Sequence, residues 1–202
     1  MRKEIRREII LAAKKLFNER GYNDVSTQSI ADAMGISKGN LHYHFKRKED
    51  IIEAVVEEMH SHYVKPAIPE TLEALNTYFI RAGEVAKENA FYFWHYTQLA
   101  QMSARIREIQ DTVMGNNYEL LFGAFKRLNE QEILEDEAYM GQYEQIVQAV
   151  MLTCTYWTPH SRLRERLGIK GHFLDCVWGI IYPLLTYRGK AQCKVLRDDG
   201  RA

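Results

Sequence analysis

Residues 26–45 read STQSIADAMGISKGNLHYHF, from Ser26 to Phe45, and they hold two short helical patterns divided by a turn. Ser26 stands where an N-cap hydroxyl accepts from the amides of the helix that follows. That helix is predicted over 27–34, with Ile30, Ala31 and Met34 facing inward. Gly35 then supplies a left-handed turn position, Ile36 plugs the core, and Ser37 caps a second short helix over 38–44. A small packing residue, a turn glycine, an apolar plug and a short polar-faced helix are the ordered requirements of a helix-turn-helix, and Ala31, Gly35, Ile36 and residues 38–44 meet them. Leu41 and Phe45 are expected in the core. Lys38, Asn40, His42, Tyr43 and His44 form an outer face whose groups can donate to phosphates and base edges, and Gly39 lets the backbone lie close to a groove. The basic run Lys46, Arg47 and Lys48 admits a plain reading as solvated charge. Its place beside the second helix favours flanking DNA phosphates.

Outward from this stretch, Ile5, Ile9, Ala12, Ala13, Leu16 and Phe17 predict an amphipathic helix over 3–20, stopped by Gly21, with Asn23 and Asp24 in a turn. A longer helix begins at 46 or 47, runs through Ile51, Ile52, Val55, Val56, Met59 and Tyr63, and ends at Pro66 and Pro69, where a boundary falls. The remainder predicts helices over 72–89, 91–102, 105–131, 137–157 and 172–187, so the chain is all-α. Pro159, two glycines and Arg162, Arg164 and Arg166 predict a loop over 158–171, and the polar tail after Gly189 is expected to fray.

The 202 residues are 46% apolar, enough for a true core, and their formal net charge is zero. That neutrality hides an asymmetry. Residues 1–50 carry 11 basic and 7 acidic side chains, a net +4, and the remainder is net −4, so the signal for a nucleic-acid partner is confined to the N-terminal part. Three cysteines without CxxC spacing, and no leader pattern, point to a reducing cytoplasm. No apolar run approaches the roughly 20 residues that cross a bilayer, so no membrane partner is expected.

The run 26–45, followed by Lys46-Arg-Lys-Glu-Asp50, resembles the signature of the TetR/AcrR family of bacterial transcriptional regulators over about residues 5–56. The resemblance implies an all-helical homodimer. Residues 1–46 would form a three-helix DNA-binding domain, and 47–202 a connector helix followed by a C-terminal helical domain that dimerises and binds an effector. It implies contact with double-stranded operator DNA by Gln28, Ser37, Lys38, Asn40, His42, Tyr43 and His44, and a phosphate contact by Lys48. His42 departs from the tyrosine more usual there, so base preference is expected to differ.

Past the head, residues 91–96, Phe-Tyr-Phe-Trp-His-Tyr, form the densest aromatic patch. Aromatics at helical spacing suit either packed core or a cavity for a small apolar or aromatic ligand, and the pattern leaves both open. The candidate effector contacts are Trp94, Tyr96, Met102, Tyr118, Phe122 and Trp157, with His95 and Gln98 as polar handles. The segments 137–157 and 172–187 are apolar on more than one side, which suits a dimer bundle. No HExxH, GxSxG, P-loop or Rossmann glycine pattern occurs, and the histidine pair His42 and His44 has the wrong helical phase to share a metal. No enzyme, cofactor or metal is therefore expected. The expected function is a repressor released from a near-palindromic operator by a small molecule, and the rival readings are a helical protein-interaction module and, more remotely, an enzyme.

Overall fold

The computed structural model describes residues 2–61 and 63–199. Among them run α1 (Arg2–Arg20), α2 (Thr27–Ala33), α3 (Lys38–His44), α4 (Lys48–His60), α5 (Leu72–Glu88), α6 (Ala90–Trp94), α7 (Tyr96–Met102), α8 (Ala104–Glu130), α9 (Gln142–Arg166), α10 (Phe173–Ile181) and α11 (Tyr187–Asp199). A 3-10 turn at Tyr182–Leu184 follows α10. The described residues hold no strand, and the β pairing they show is an isolated antiparallel bridge between Leu134 and Leu185. No helix among them is long and apolar enough to cross a membrane.

The chain divides into two compact units. One takes the residues up to Val64 together with Glu88–Val113, and the other takes Lys65–Lys87 and everything from Met114 onward. This partition differs from a linear division at residue 46. The reason is apolar burial: α4 lays Ile51, Ile52, Val55 and Val56 against α1, and Phe91, Leu99 and Ile106 join the same core as Phe17, Ile30 and Leu41. Tilted ring contacts at 5.4 Å to Tyr22 and 5.8 Å to Phe91 put Phe17 at the centre of that core.

The second unit has its own core, with Phe79, Leu121, Phe125, Tyr143, Val147, Val177, Trp178 and Ile181 among its members. α9 packs along α10. The Trp178 indole donates to the Asn76 side chain at 2.9 Å and meets Phe79 edge-on, so this large ring is buried with its polar atom satisfied. Tyr143 donates to the Glu135 carbonyl at 2.5 Å, and burial, aided by the nearby acids Asp136, Glu137 and Glu135, pushes its phenol up to about 12.

Several expected segments depart from the sequence pattern, and the helix expected over 137–157 begins only at Gln142. The expected helix over 91–102 breaks at His95, whose φ of −114° and ψ of 18° end α6 and begin α7. The expected loop over 158–171 is largely helix: α9 continues through Pro159 to Arg166 and closes at Gly168, whose φ is +66°. A proline inside a helix costs about 3 kcal/mol against alanine, and here the helix-forming run after it outweighs that cost. Pro183, in the 3-10 turn, stops the helix predicted over 172–187 at Ile181. The tail expected to fray after Gly189 forms α11 instead, anchored by the fully buried Cys193. A Cβ on Gly189 would lie 2.3 Å from the Ile133 carbonyl oxygen, so the missing side chain is what lets α11 dock.

Candidate nucleic-acid interface

The helix-turn-helix closes on itself through short-range bonds. Ser26 Oγ accepts from the Ser29 amide at 3.0 Å while Ser29 Oγ accepts from the Ser26 amide at 2.9 Å, a reciprocal box that fixes the start of α2. At its end Gly35 adopts φ +65°, and the Ile36 amide turns back to the Ala31 carbonyl at 3.1 Å. Ser37 Oγ then accepts from the Asn40 amide at 3.2 Å and starts α3. Ile30, Ala31, Leu41 and Phe45 are buried beneath these turns. The hydroxyls of Ser26 and Ser37 and the left-handed glycine thus set the angle at which α3 is presented.

The outer face of α3 is open. Lys38, Gly39, Asn40, His42 and Tyr43 are exposed and His44 is half-buried, with the Tyr43 and His44 rings edge-on at 5.3 Å. Gly39 has an ordinary helical backbone, and a Cβ there would meet Ser37 Oγ at a comfortable 3.8 Å. Nothing among the described residues of the head crowds a Cβ at 39. Gln28 is exposed on α2, with its amide donating to Asp32 at 2.7 Å.

The basic run after α3 is not uniform. Arg47 caps α4, its amide and guanidinium both directed at the Asp50 carboxylate at 2.9 and 3.0 Å, which raises its pKa further. Lys48 is half-buried: its ammonium lies 4.0 Å from the centroid of the Tyr22 ring and 3.4 Å from the Asn23 carbonyl oxygen. That burial lowers the Lys48 pKa, with Glu49 and Asp24 opposing it. Tyr22 is itself buried, and its phenol is pushed up to about 12 by desolvation and by the Glu49 charge. Lys48 is therefore a positioned cation, whereas Lys46 is exposed.

The candidate effector residues fall in two places. Trp94, His95, Tyr96, Gln98 and Met102 lie on α6, α7 and the break between them, in the first unit, where Tyr96 and Met102 pack against its core. Tyr118 and Phe122 on α8 and Trp157 on α9 belong to the second unit. Tyr118 and Phe122 stack at 5.8 Å, and Lys126 sits over Phe122 at 4.4 Å. Trp157 meets Phe173 at 5.8 Å and carries the Arg164 guanidinium 3.8 Å above its ring. Arg164 donates through Nη2 to the Gly171 carbonyl at 2.6 Å, and its Nη1 is buried with no hydrogen-bond partner. Arg164 looked like loop charge in the sequence, and only continuation of α9 past Pro159 carries it onto Trp157. His95 and Gln98, the expected polar handles, reach the turn between α1 and α2 through His95 Nε2 and the Gln98 amide nitrogen, while His95 Nδ1 and Gln98 Oε1 meet each other. Asn18 was not singled out in the sequence, yet it accepts from the Phe91 amide at 3.3 Å and donates to the Glu88 carbonyl at 2.9 Å.

An all-helical fold with a doubly capped helix-turn-helix, whose second helix carries an exposed polar face, defines a helix-turn-helix protein. Residues 9–55 match the family described as bacterial regulatory proteins, tetR family. It is 38% identical over 53 residues to the HTH-type transcriptional repressor BepR of Brucella suis biovar 1. That segment is 26% of this chain and 25% of BepR, so the match spans about a quarter of the curated relative. The fold is shared with solved structures over most of the chain. A TetR-family transcriptional regulator from Marinobacter aquaeolei VT8 superposes with a TM-score of 0.76 at 23% identity, covering 96% of this chain and 97% of that one. A putative transcriptional regulator from Saccharomonospora viridis in complex with choline gives 0.67 at 18% identity, covering 91% and 99%.

Proposed function

We propose that this protein is a ligand-responsive transcriptional regulator, a repressor acting in the cytoplasm, that binds a near-palindromic operator as a homodimer and is released from it by a small molecule. The observation that carries the reading is the face of α3. Lys38, Asn40, His42 and Tyr43 are exposed together on a helix whose core side, Leu41, is fully buried and whose start is fixed by Ser37. Such a face enters a major groove, with Asn40 suited to adenine and Lys38 to guanine or phosphate. Ser37, Gly39 and His44 border it, Gln28 reaches DNA from α2, and Lys48 takes a flanking phosphate. Residues 1–46 serve as the DNA-binding part, and α4 connects them to the effector-binding and dimerising remainder.

Two further observations support the parts beyond the head. Leu152, Tyr156, Leu163 and Leu167 are exposed at helical spacing along and just past α9, an apolar stripe suited to a second copy of the chain. A two-fold pair would set two recognition helices about 34 Å apart, one helical turn of DNA. For the effector, Tyr118, Phe122 and Trp157 supply aromatic surface. Arg164, beside Trp157 with an unsatisfied buried nitrogen, supplies a donor for a negatively charged or strongly accepting group.

Selection of bound duplexes from a random DNA pool, followed by binding of the selected duplex across a salt series, tests the reading. We expect an inverted-repeat consensus and a steep linear fall of log affinity with log salt. Recovery of no consensus, or salt-independent binding, would refute it.

A further inference from the structure

We infer that His95 is a positioning residue for DNA binding, which holds the turn between α1 and α2 and, through that turn, the Lys48 ammonium. The inference rests on Lys48 as a phosphate contact and adds a role that lies outside the recognition helix. Its starting point is a donor that admits no ambiguity. The Tyr22 amide is 3.2 Å from His95 Nε2, and a backbone N–H can only donate, so Nε2 must present its lone pair. The ring proton then sits on Nδ1, 2.9 Å from Gln98 Oε1, which accepts it. With its oxygen so oriented, Gln98 turns its amide nitrogen to Asn23 Oδ1 at 3.0 Å. One backbone amide thus fixes the tautomer of His95, the orientation of Gln98 and the partner of Asn23.

The far end of this relay is the seat of Lys48. Its Nζ contacts the Asn23 carbonyl oxygen and the face of the Tyr22 ring, the two residues that His95 and Gln98 hold. Gly21, at φ +82°, places the Tyr22 amide against the imidazole, and a Cβ on Gly21 would already come within 3.4 Å of His95 Nε2. His95 in turn sits at the break between α6 and α7, its amide donating to the Phe91 carbonyl and its own carbonyl accepting from Leu99. A displacement of that joint, flanked by Trp94 and Tyr96, therefore reaches a cation on the DNA-facing side without passing through α3.

Replacing His95 separates positioning from mere packing. His95→Phe removes the acceptor, whereas His95→Gln can return an oxygen to the Tyr22 amide, so the second variant controls for fold. The full chain carrying each change, and the pair His95→Phe with Lys48→Ala, is titrated with a duplex selected from a random pool over a salt series. Amide hydrogen exchange at Tyr22 is read in parallel. Expected is a loss of about fivefold in affinity for His95→Phe, the scale of one hydrogen bond, and a salt slope shallower by up to about one, as for Lys48→Ala. The double variant should be no weaker than Lys48→Ala alone, and His95→Gln should keep most of the affinity and the Tyr22 protection. A His95→Phe protein with the full slope, or losses that add independently, overturns the inference while leaving Lys48 as a contact. A Lys48→Ala protein with an unchanged slope removes the phosphate reading of Lys48 and the inference with it.

Discussion

Residues 26–50 and the second compact unit are both helical, but they are held together over very different spans of chain. In the head, each helix start is closed by a partner three residues on: Ser26 with Ser29, Ser37 with Asn40, Arg47 with Asp50. In the second unit, Gln131 donates to the Glu70 carbonyl across 61 residues, Thr186 to the Glu132 carbonyl across 54, and Trp178 to Asn76 across 102. Bonds of the first kind close short loops at little entropic cost, whereas bonds of the second kind require long loops to close. In the head, local bonds alone fix how α2 and α3 begin. A unit tied by distant bonds is expected to lose them together when one anchor is removed.

The contrast is most exposed at Trp178. Trp178→Ala removes a ring that is 3% exposed, together with the bond to Asn76, and should lower the unfolding free energy by about 3–5 kcal/mol in urea denaturation followed by circular dichroism. A loss under 1 kcal/mol would mean that the second unit does not depend on this long-range anchor. Asn76→Ala is the finer instrument, because it leaves the indole in place with its N–H unpaired. We expect a loss of about 1–3 kcal/mol, spread over the amides of the whole unit in hydrogen exchange.

Ser26→Ala is the counterpart in the head. Loss of a side-chain cap should cost about 1 kcal/mol, and its signature in hydrogen exchange should be confined to the first turn of α2, where Ser29 loses its acceptor. Spread of the effect across the unit, as expected for Asn76→Ala, would erase the distinction between the two regions.

The same difference in span decides what could be read from the sequence. Ser26, Gly35 and Ser37 are legible because their bonds fall within five positions, and Ile30, Ala31 and Leu41 because helical periodicity marks them as inward-facing, although the core they enter also holds Phe17, Phe91 and Ile106. His95 and Gln98 were visible as polar residues in an aromatic run, but their partners, Tyr22 and Asn23, lie more than 70 positions away. Local pattern alone therefore points them toward an effector. Pro159 was read by its local rule as a helix breaker, and α9 passes through it. Gly189 was read as the start of a loose end, yet it is the point of closest approach between α11 and Ile133.

The smallest effect expected at neutral pH belongs to Tyr22, the residue through which the local and the distant bonds meet. Its phenol is raised to about 12 in the folded protein by burial and by the Glu49 charge, against an ordinary value of 10.0. A raised acid favours the neutral form when folded, so this contribution is fully present below pH 10 and is lost as pH climbs toward 12, where the folded phenol also ionises. Tyr22→Phe should therefore be nearly silent at pH 7 and should flatten the fall in stability over that alkaline window. Tyr143, raised to about 12 by its own burial, continues to contribute in the same range, so the slope should shrink without vanishing. Urea midpoints of both proteins from pH 8 to about 11 provide the comparison. Parallel curves would show that the Tyr22 hydroxyl is as well solvated in the folded chain as in the unfolded one, and that the seat of Lys48 is wetter than its packing against the ring indicates.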